Sequence, residues 1–376
     1  MRVETLNIFE VNFTMSFWVR RADMQRNNKK VNDLRNVGLC FDDVLMIPRY
    51  SEITSRDEVD LTSVLDDNIK LDIPIISSPM DTITEEEMAI AMHSIGGLGI
   101  IHRYNTTEEQ VGLVRKAVER IMTSSCNLGA AIGVTGDFLE RAHAVVDAGA
   151  NVLCIDTAHG HHVLMKNALE KIKVAFPSVH VMAGNVATYE AFNMLADWGA
   201  DSIRVGIGGG SICSTRVQTG HGKPTLQSIM ECAQSTRDVK IIADGGIRSS
   251  GDIVKALAAG ADFVMLGSML AGTDETPGDI FTSGKGKRKF KVYRGMASRA
   301  AQNEWRGRSS SPEGISTTIP YKGSTCDVLG DIQGGIRSGC SYSGVKNIFD
   351  LQVYGQFMRQ TTAGRLESST HILGRG

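Results

Sequence analysis

The chain has 376 residues and a formal net charge of −2, from 40 Lys+Arg against 42 Asp+Glu, with 42 % apolar residues. That is enough apolar chain for a large core, and the charge balance argues against a basic nucleic-acid binder, as aromatics at 6 % do against a base-stacking platform. No apolar run reaches the roughly 18 residues of a membrane span, and the stretch after Met15 turns basic too early for a secretory signal. Seven cysteines without a CxxC pair read as reduced thiols, so the expected compartment is the cytoplasm.

Residues 1–37 mix a short apolar piece with a basic polar run and read as a flexible arm. From Leu39 a rhythm sets in. Short apolar runs are expected as strands at 73–77, 98–101, 129–134, 151–156, 179–184, 201–206, 240–245 and 262–267. Amphipathic stretches between them, such as EEQVGLVRKAVERI and VLMKNALEKIKVAF, carry the helical period. Continuous apolar strands alternating with helices imply parallel β-structure covered on both faces, and eight units fit a closed (β/α)8 TIM barrel. The repeated DAGA, DWGA and AAGA are read as helix ends with a left-handed glycine. After the eighth strand the pattern breaks. Residues 277–320, rich in Gly, Ser, Lys and Arg, read as a long irregular active-site flap, so that 38–376 forms one barrel domain with this flap and a tail over 350–376.

Barrels of this kind place chemistry at the C-terminal ends of the strands, with phosphate on the loops after strands 7 and 8. Strand 7 ends in ADGGIRSSGD, where Gly245 and Gly246 let backbone N–H groups approach an anion; strand 8 ends in LGSMLAG, with Gly267 and Ser268 expected to open a helix. The bland alternative is that these glycines only turn the chain. Strand 6 runs RVGIGGGSICSTRVQTGHG. A cysteine in a glycine-rich loop at a barrel mouth, beside Arg216, suits a thiolate nucleophile, whereas Cys154 and Cys232 sit in apolar runs and suit the core.

At these residues the chain resembles the inosine-monophosphate dehydrogenase and guanosine-monophosphate reductase family. FDDVLMIP, SSPMDTITEEEMAIAM, GGLGIIH, IDTAHGH, AGNVAT, GIGGGSICSTR, ADGGIR, GSMLAGTDETPG, YRGM, PEG, YKG and GGIRSGCSY follow in family order. The resemblance implies that Cys213 attacks carbon 2 of a purine nucleotide and forms a thioimidate, with hydride passing between that carbon and a nicotinamide. It implies that Thr215 assists the attacking water or departing ammonia and that Glu313 contacts the base and relays protons. Ser211, Gly246, Gly267, Ser268 and Tyr293 would hold the phosphate, Asp244 the ribose, and Met296 with Ser78 and Met80 the base; Gly295 belongs to the same nucleotide-contacting element. Asp156 and Asn185 would face the cofactor, NADPH or NAD. Backbone carbonyls of Gly208, Gly210 and Cys213 would bind a monovalent cation such as K+, completed by a neighbouring subunit's tail, which LESSTH at 366–371 resembles with a departure from the usual Glu-Ser-His. A cyclic homotetramer follows from that tail, with neither nucleic acid nor membrane as partner. His159, His161 and His162 have no carboxylate or cysteine at ligand spacing to make a metal site, and His159 is assigned to the cofactor pocket.

The dehydrogenase branch needs a base for water, supplied in the family by an Arg-Tyr pair on the flap. Arginine has a pKa above about 12, so such a base must be specially placed. Between Met296 and Glu313 this chain has no Arg-Tyr; it has Glu304-Trp305-Arg306, which looks like the Glu-Tyr-Arg of reductases. Only a helical segment separates His102 from Gly129, which leaves no room for the family's regulatory repeats. The expectation is NADPH-dependent reductive deamination of GMP to IMP. The alternatives are an NAD-dependent IMP dehydrogenase without those repeats, favoured by SPMDTITEEEMAIAM and AGTDETPG, and a catalytically silent nucleotide-binding protein. A flavin-dependent barrel would use the same phosphate loops but would not need GSICST.

Overall fold

The computed structural model describes residues 37–121, 126–284, 288–307 and 312–368, so the 1–37 arm lies outside it except for Val37. Eight parallel strands close a barrel: β1 (Ile75–Ser77), β2 (Leu98–Ile101), β3 (Leu128–Ile132), β4 (Val152–Asp156), β5 (His180–Val186), β6 (Ser202–Val205), β7 (Lys240–Asp244) and β8 (Phe263–Leu266). Each expected strand is present. The ring closes where β8 pairs with β1, Val264 opposite Ile75 and Leu266 opposite Ser77.

The helices α1 (Glu86–Ser94), α2 (Thr107–Ile121), α3 (Phe138–Asp147), α4 (Val163–Ala175), α5 (Tyr189–Asp197), α6 (Thr225–Cys232), α7 (Ser250–Ala258) and α8 (Thr325–Tyr342) pack outside. In α2 the buried residues are Gln110, Val114, Ala117 and Ile121, one stripe at helical spacing. Gln110 is tolerated there because its amide donates to Ala131 O at 2.9 Å and its oxygen accepts from Arg141 at 3.0 Å. The three repeated helix ends behave as read: Gly149, Gly199 and Gly260 have φ of +113°, +100° and +113°.

Inside the ring, Ile76, Leu98, Ile100, Ala131, Val152, Cys154, Met182, Ile242, Phe263 and Met265 form a dry core. Its N-terminal end is stoppered by a hairpin, Ser63–Val64 against Lys70–Leu71, which contributes Leu65, Ile69 and Leu71. This hairpin also brings Asp66 to His180 Nδ1 at 2.7 Å, while His180 Nε2 meets Ser202 Oγ at 2.8 Å. Ahead of it, Val44–Met46 pairs antiparallel with Phe357–Arg359 and ties the two ends of the domain together.

The 277–320 segment differs from the irregular loop expected of it. Phe281–Ser283, Arg288–Arg294 and Ser316–Pro320 form a three-stranded antiparallel sheet, and Arg299–Arg306 is a helix capped by Ser298. The charged residues concealed the strand, because FKVYR alternates around a buried lysine. Lys291 is almost wholly inaccessible, and its ammonium donates to Thr273 O at 3.1 Å, to Asp274 O at 3.3 Å and to Thr276 O. Burial lowers its pKa, and the ring of carbonyls satisfies its donors and pins the loop after β8.

Candidate active site

The loop after β6 carries the exposed Cys213 and is laced to the flap by main-chain bonds. Ser214 N donates to Glu313 O at 2.8 Å, Ile315 N to Ile212 O at 3.0 Å, and Cys213 bridges Gly314. Glu313 N donates in turn to Ala297 O at 3.0 Å. Three segments distant in sequence are thereby held in one register, and their side chains form a file. Cys213 Sγ donates to Thr215 Oγ1 at 3.2 Å, and Thr215 Oγ1 donates to Glu313 Oε2 at 2.7 Å. A thiol proton has a hydrogen-bonded route to a carboxylate, the arrangement by which a cysteine becomes a nucleophile and a leaving group receives a proton. Arg216 is held against this loop by Lys223 and two glycines. Its guanidinium donates to Lys223 O at 2.6 Å, and its stem packs against Gly208 and Gly222.

The residues expected on the nucleotide side converge. A Cβ placed on Gly267 would lie 3.3 Å from Tyr293 Oη, 3.4 Å from Met80 Sδ and 3.5 Å from Ser78 Oγ, so these three groups gather around this glycine. Ser211 Oγ lies 3.4 Å from Tyr293 Oη, and burial raises the Tyr293 phenol. Asp81 N donates to Met296 Sδ at 3.2 Å, and Gly295 N to Ile315 O at 2.9 Å. Gly245 and Gly246 have φ of +86° and +80°, and α7 follows with Ser249 as its cap. The helix expected to open at Ser268 is instead a single turn, in which Ala271 N donates to Gly267 O at 2.9 Å. Lys322 steadies that turn, donating to Ser268 O at 2.7 Å and Met269 O at 2.9 Å, which gives the YKG element a structural role.

On the other side of the barrel mouth the sequence reading missed the organising residue. Arg204, on β6, is buried between two carboxylates: Nη1 donates to Asp156 Oδ1 at 2.6 Å, and Nε and Nη2 to Asp244 Oδ2 at 3.2 and 2.8 Å. Burial would raise the Asp156 carboxyl, but the Arg204 and Arg103 charges outweigh it and hold it below the ordinary carboxylate range. Asn185 Nδ2 donates to Asp244 Oδ2 at 2.9 Å and to Gly206 O at 2.8 Å. All three side-chain contacts of Asp244 fall on Oδ2, so none of them engages Oδ1. Asn185 Oδ1 is buried with no hydrogen-bond partner among the described residues, an acceptor awaiting a donor.

His159 and His161 stack edge to face with centroids 6.3 Å apart, His161 Nε2 approaches Met194 Sδ at 3.0 Å, and His162 caps α4. Burial and the neighbouring histidines lower the pKa of His159. In the loop after β6, Gly208 has φ +78° and Gly210 O accepts the Cys213 N–H at 3.1 Å. The Arg306 side chain and residues 369–371 of LESSTH lie outside the described residues. Cys154 and Cys232 are fully buried, and burial pushes the Cys154 thiol up to about 12.

The family profile described as "IMP dehydrogenase / GMP reductase domain" matches residues 38–371. The inosine-5'-monophosphate dehydrogenase of Cryptosporidium parvum is 40 % identical, covering 89 % of this chain and 95 % of its own. That of Nitrosopumilus maritimus is 35 % identical, covering 89 % and 98 %. Its alignment of 468 positions exceeds the 376 residues of this chain, so the relative carries internal sequence that is absent here. The GMP reductase of Leishmania major is 33 % identical, covering 90 % and 97 %. Among solved structures, the GMP reductase of Trypanosoma brucei in complex with guanosine 5'-monophosphate superposes with a TM-score of 0.84 at 33 % identity, over 90 % of this chain and 99 % of that one.

Proposed function

The chain belongs to the IMP dehydrogenase / GMP reductase family of NAD(P)-dependent oxidoreductases, and within it we propose that it reduces GMP to IMP and ammonia. The reading rests on the Cys213–Thr215–Glu313 file set beside a flap whose 297–312 segment contains no Arg-Tyr pair. The Cys213 proton passes through Thr215 to Glu313 as sulfur attacks carbon 2 of the guanine. Glu313 returns it through Thr215 to the departing amine, ammonia leaves, and a thioimidate remains on Cys213. Carbon 2 would take a hydride from NADPH bound beside Asn185 and Asp156, and the carbon–sulfur bond would break to release IMP and the Cys213 thiolate. With no flap base to activate water, the thioimidate is not hydrolysed.

The remaining assignments follow from the family resemblance. Ser211, Gly246, Gly267, Ser268 and Tyr293 hold the phosphate, and Asp244 Oδ1 takes the ribose hydroxyls. Ser78, Met80 and Met296 frame the base, with Gly295 beside them. The acceptor Asn185 Oδ1 and the Asp156–Arg204 pair suit a nicotinamide carboxamide and ribose, so the residues fit the cofactor, with His159 further along its path. A monovalent cation on Gly208, Gly210 and Cys213 and a homotetramer complete the reading. The second reading, oxidation of IMP to xanthosine monophosphate with NAD, is favoured by SPMDTITEEEMAIAM and AGTDETPG. Parallel incubations with GMP plus NADPH and with IMP plus NAD, followed by absorbance of the reduced nicotinamide and by product identity, decide between them. Conversion of GMP to IMP with consumption of NADPH is expected; sustained oxidation of IMP with no reaction of GMP would overturn the assignment.

A further inference from the structure

The flap helix Arg299–Arg306 touches the barrel mouth through two adjacent residues that lead to opposite sides of the site. Glu304 pairs with Arg294, whose Nη2 and Nε reach Asp81 Oδ2 at 2.5 and 2.8 Å. The Asp81 main-chain N–H in turn donates to Met296 Sδ at 3.2 Å, on the nucleotide side. Trp305 meets the Tyr104 ring edge to face, with centroids 5.3 Å apart at 76°. The Arg103 guanidinium lies 4.9 Å from the Tyr104 ring and 5.6 Å from the Trp305 ring. Both of these partners reach Asp156: Tyr104 Oη donates to Oδ2 at 3.3 Å, and Arg103 Nη2 to the main-chain oxygen at 3.1 Å. The first chain of contacts ends in Asp81 Oδ1, buried with no hydrogen-bond partner among the described residues, and the second in Arg103 Nε, which faces Asp156 Oδ2 at 3.7 Å as an ion pair. A buried acceptor such as Asp81 Oδ1 calls for a partner, and a bound ligand is one that could supply it.

We propose that Glu304 and Trp305 are positioning residues of a two-pin clamp. Glu304, through Arg294 and Asp81, orders the nucleotide side, and Trp305, through Tyr104 and Arg103, orders the Asp156 side where the nicotinamide lies. The proposal rests on the oxidoreductase reading above. Trp305 touches no reacting atom; its ring fixes the Tyr104 phenol and the Arg103 fork, and these fix the carboxylate.

The test uses the full chain and reads equilibrium binding of NADPH, by its fluorescence, and of GMP, by calorimetry, beside KM and kcat. Trp305→Ala is expected to weaken NADPH about tenfold, the value of a lost aromatic edge contact and cation–π pair, while GMP affinity changes less than about twofold. Trp305→Phe should recover most of the loss, and Tyr104→Phe, which removes only the hydrogen bond to Asp156, should weaken NADPH about threefold. Glu304→Gln should do the reverse, weakening GMP about threefold and leaving NADPH within about twofold. Equal effects of both variants on both ligands, or none beyond twofold with only a lower melting temperature, would overturn the clamp. Should Trp305→Ala fail to fold, Trp305→Phe and Tyr104→Phe carry the same split. Binding does not depend on which reaction follows. If the wild type oxidised IMP with NAD, the functional reading would fall, and the same split measured with that pair would still decide for or against the clamp.

Discussion

The two ends of the barrel solve opposite problems with the same strands. At the N-terminal end, Leu65, Ile69 and Leu71 close a dry core, and the polar groups that enter it, Asp66, His180 and Ser202, satisfy one another. At the C-terminal end, Arg204 is shared between two acids, Asn185 Oδ1 and Asp81 Oδ1 have no hydrogen-bond partner among the described residues, and the thiol of Cys213 is exposed. The first end pairs its polar groups with one another; the second leaves two buried acceptors unpaired among the described residues. Stability and function are thus separated along the barrel axis, and substitutions at the two ends should separate them too.

The largest effect is expected at Cys213. Cys213→Ala should lower turnover by at least about 10⁴-fold while nucleotide affinity and melting temperature stay near wild type; substantial activity in the purified variant would remove covalent catalysis. Next comes the closed end. Phe263→Ala, in the dry core, should cost about 3–5 kcal/mol in denaturant unfolding and leave the kcat of the folded fraction nearly unchanged. A large fall in kcat at matched folded concentration would show that the two ends are not separable. Glu313→Gln keeps the shape but removes the proton acceptor, so kcat should fall about 100-fold with little change in GMP affinity.

The smallest effect is one of pH at the closed end. Burial raises the Asp66 carboxyl, but its hydrogen bond to His180 and the main-chain donors of Asn68 and Ile69 prevail, so its pKa lies below the ordinary value. A group depressed in the folded state stabilises it above the unfolded pKa of about 4 and loses that contribution as pH falls through the folded value. Wild type should therefore lose slightly more stability than Asp66→Asn when the urea midpoint is compared at pH 7 and below pH 4. Identical pH dependence in the two would deny the pair any role.

The strand–helix rhythm was legible because burial writes itself as apolar runs and helical stripes, as in VLCID and in α2, whereas the short hairpin that stoppers the barrel was not assigned. The loop around Cys213 was legible because glycines next to a cysteine and polar hydroxyls break that pattern. Arg204 was not. A single arginine in SIRV carries no local signal, and its partners Asp156 and Asp244 lie 48 and 40 residues away, brought near only by closure of the barrel. The flap sheet was hidden for a related reason, since Lys291 occupies an inward position that a pattern of apolar residues would leave unassigned. Tyr104 escaped notice, and Trp305 was read only as part of Glu304-Trp305-Arg306, because an aromatic pair is defined by contact and not by spacing.

The central claim is that a thioimidate on Cys213 is reduced and not hydrolysed. The most direct measurement incubates the protein with base-labelled GMP, quenches it, and locates the label by peptide mass spectrometry, then repeats the quench after a chase with NADPH. The account predicts label on the Cys213 peptide with ammonia released in equal amount, and a chase that yields labelled IMP. A chase that yields xanthosine monophosphate, or no label on Cys213 at all, would contradict it.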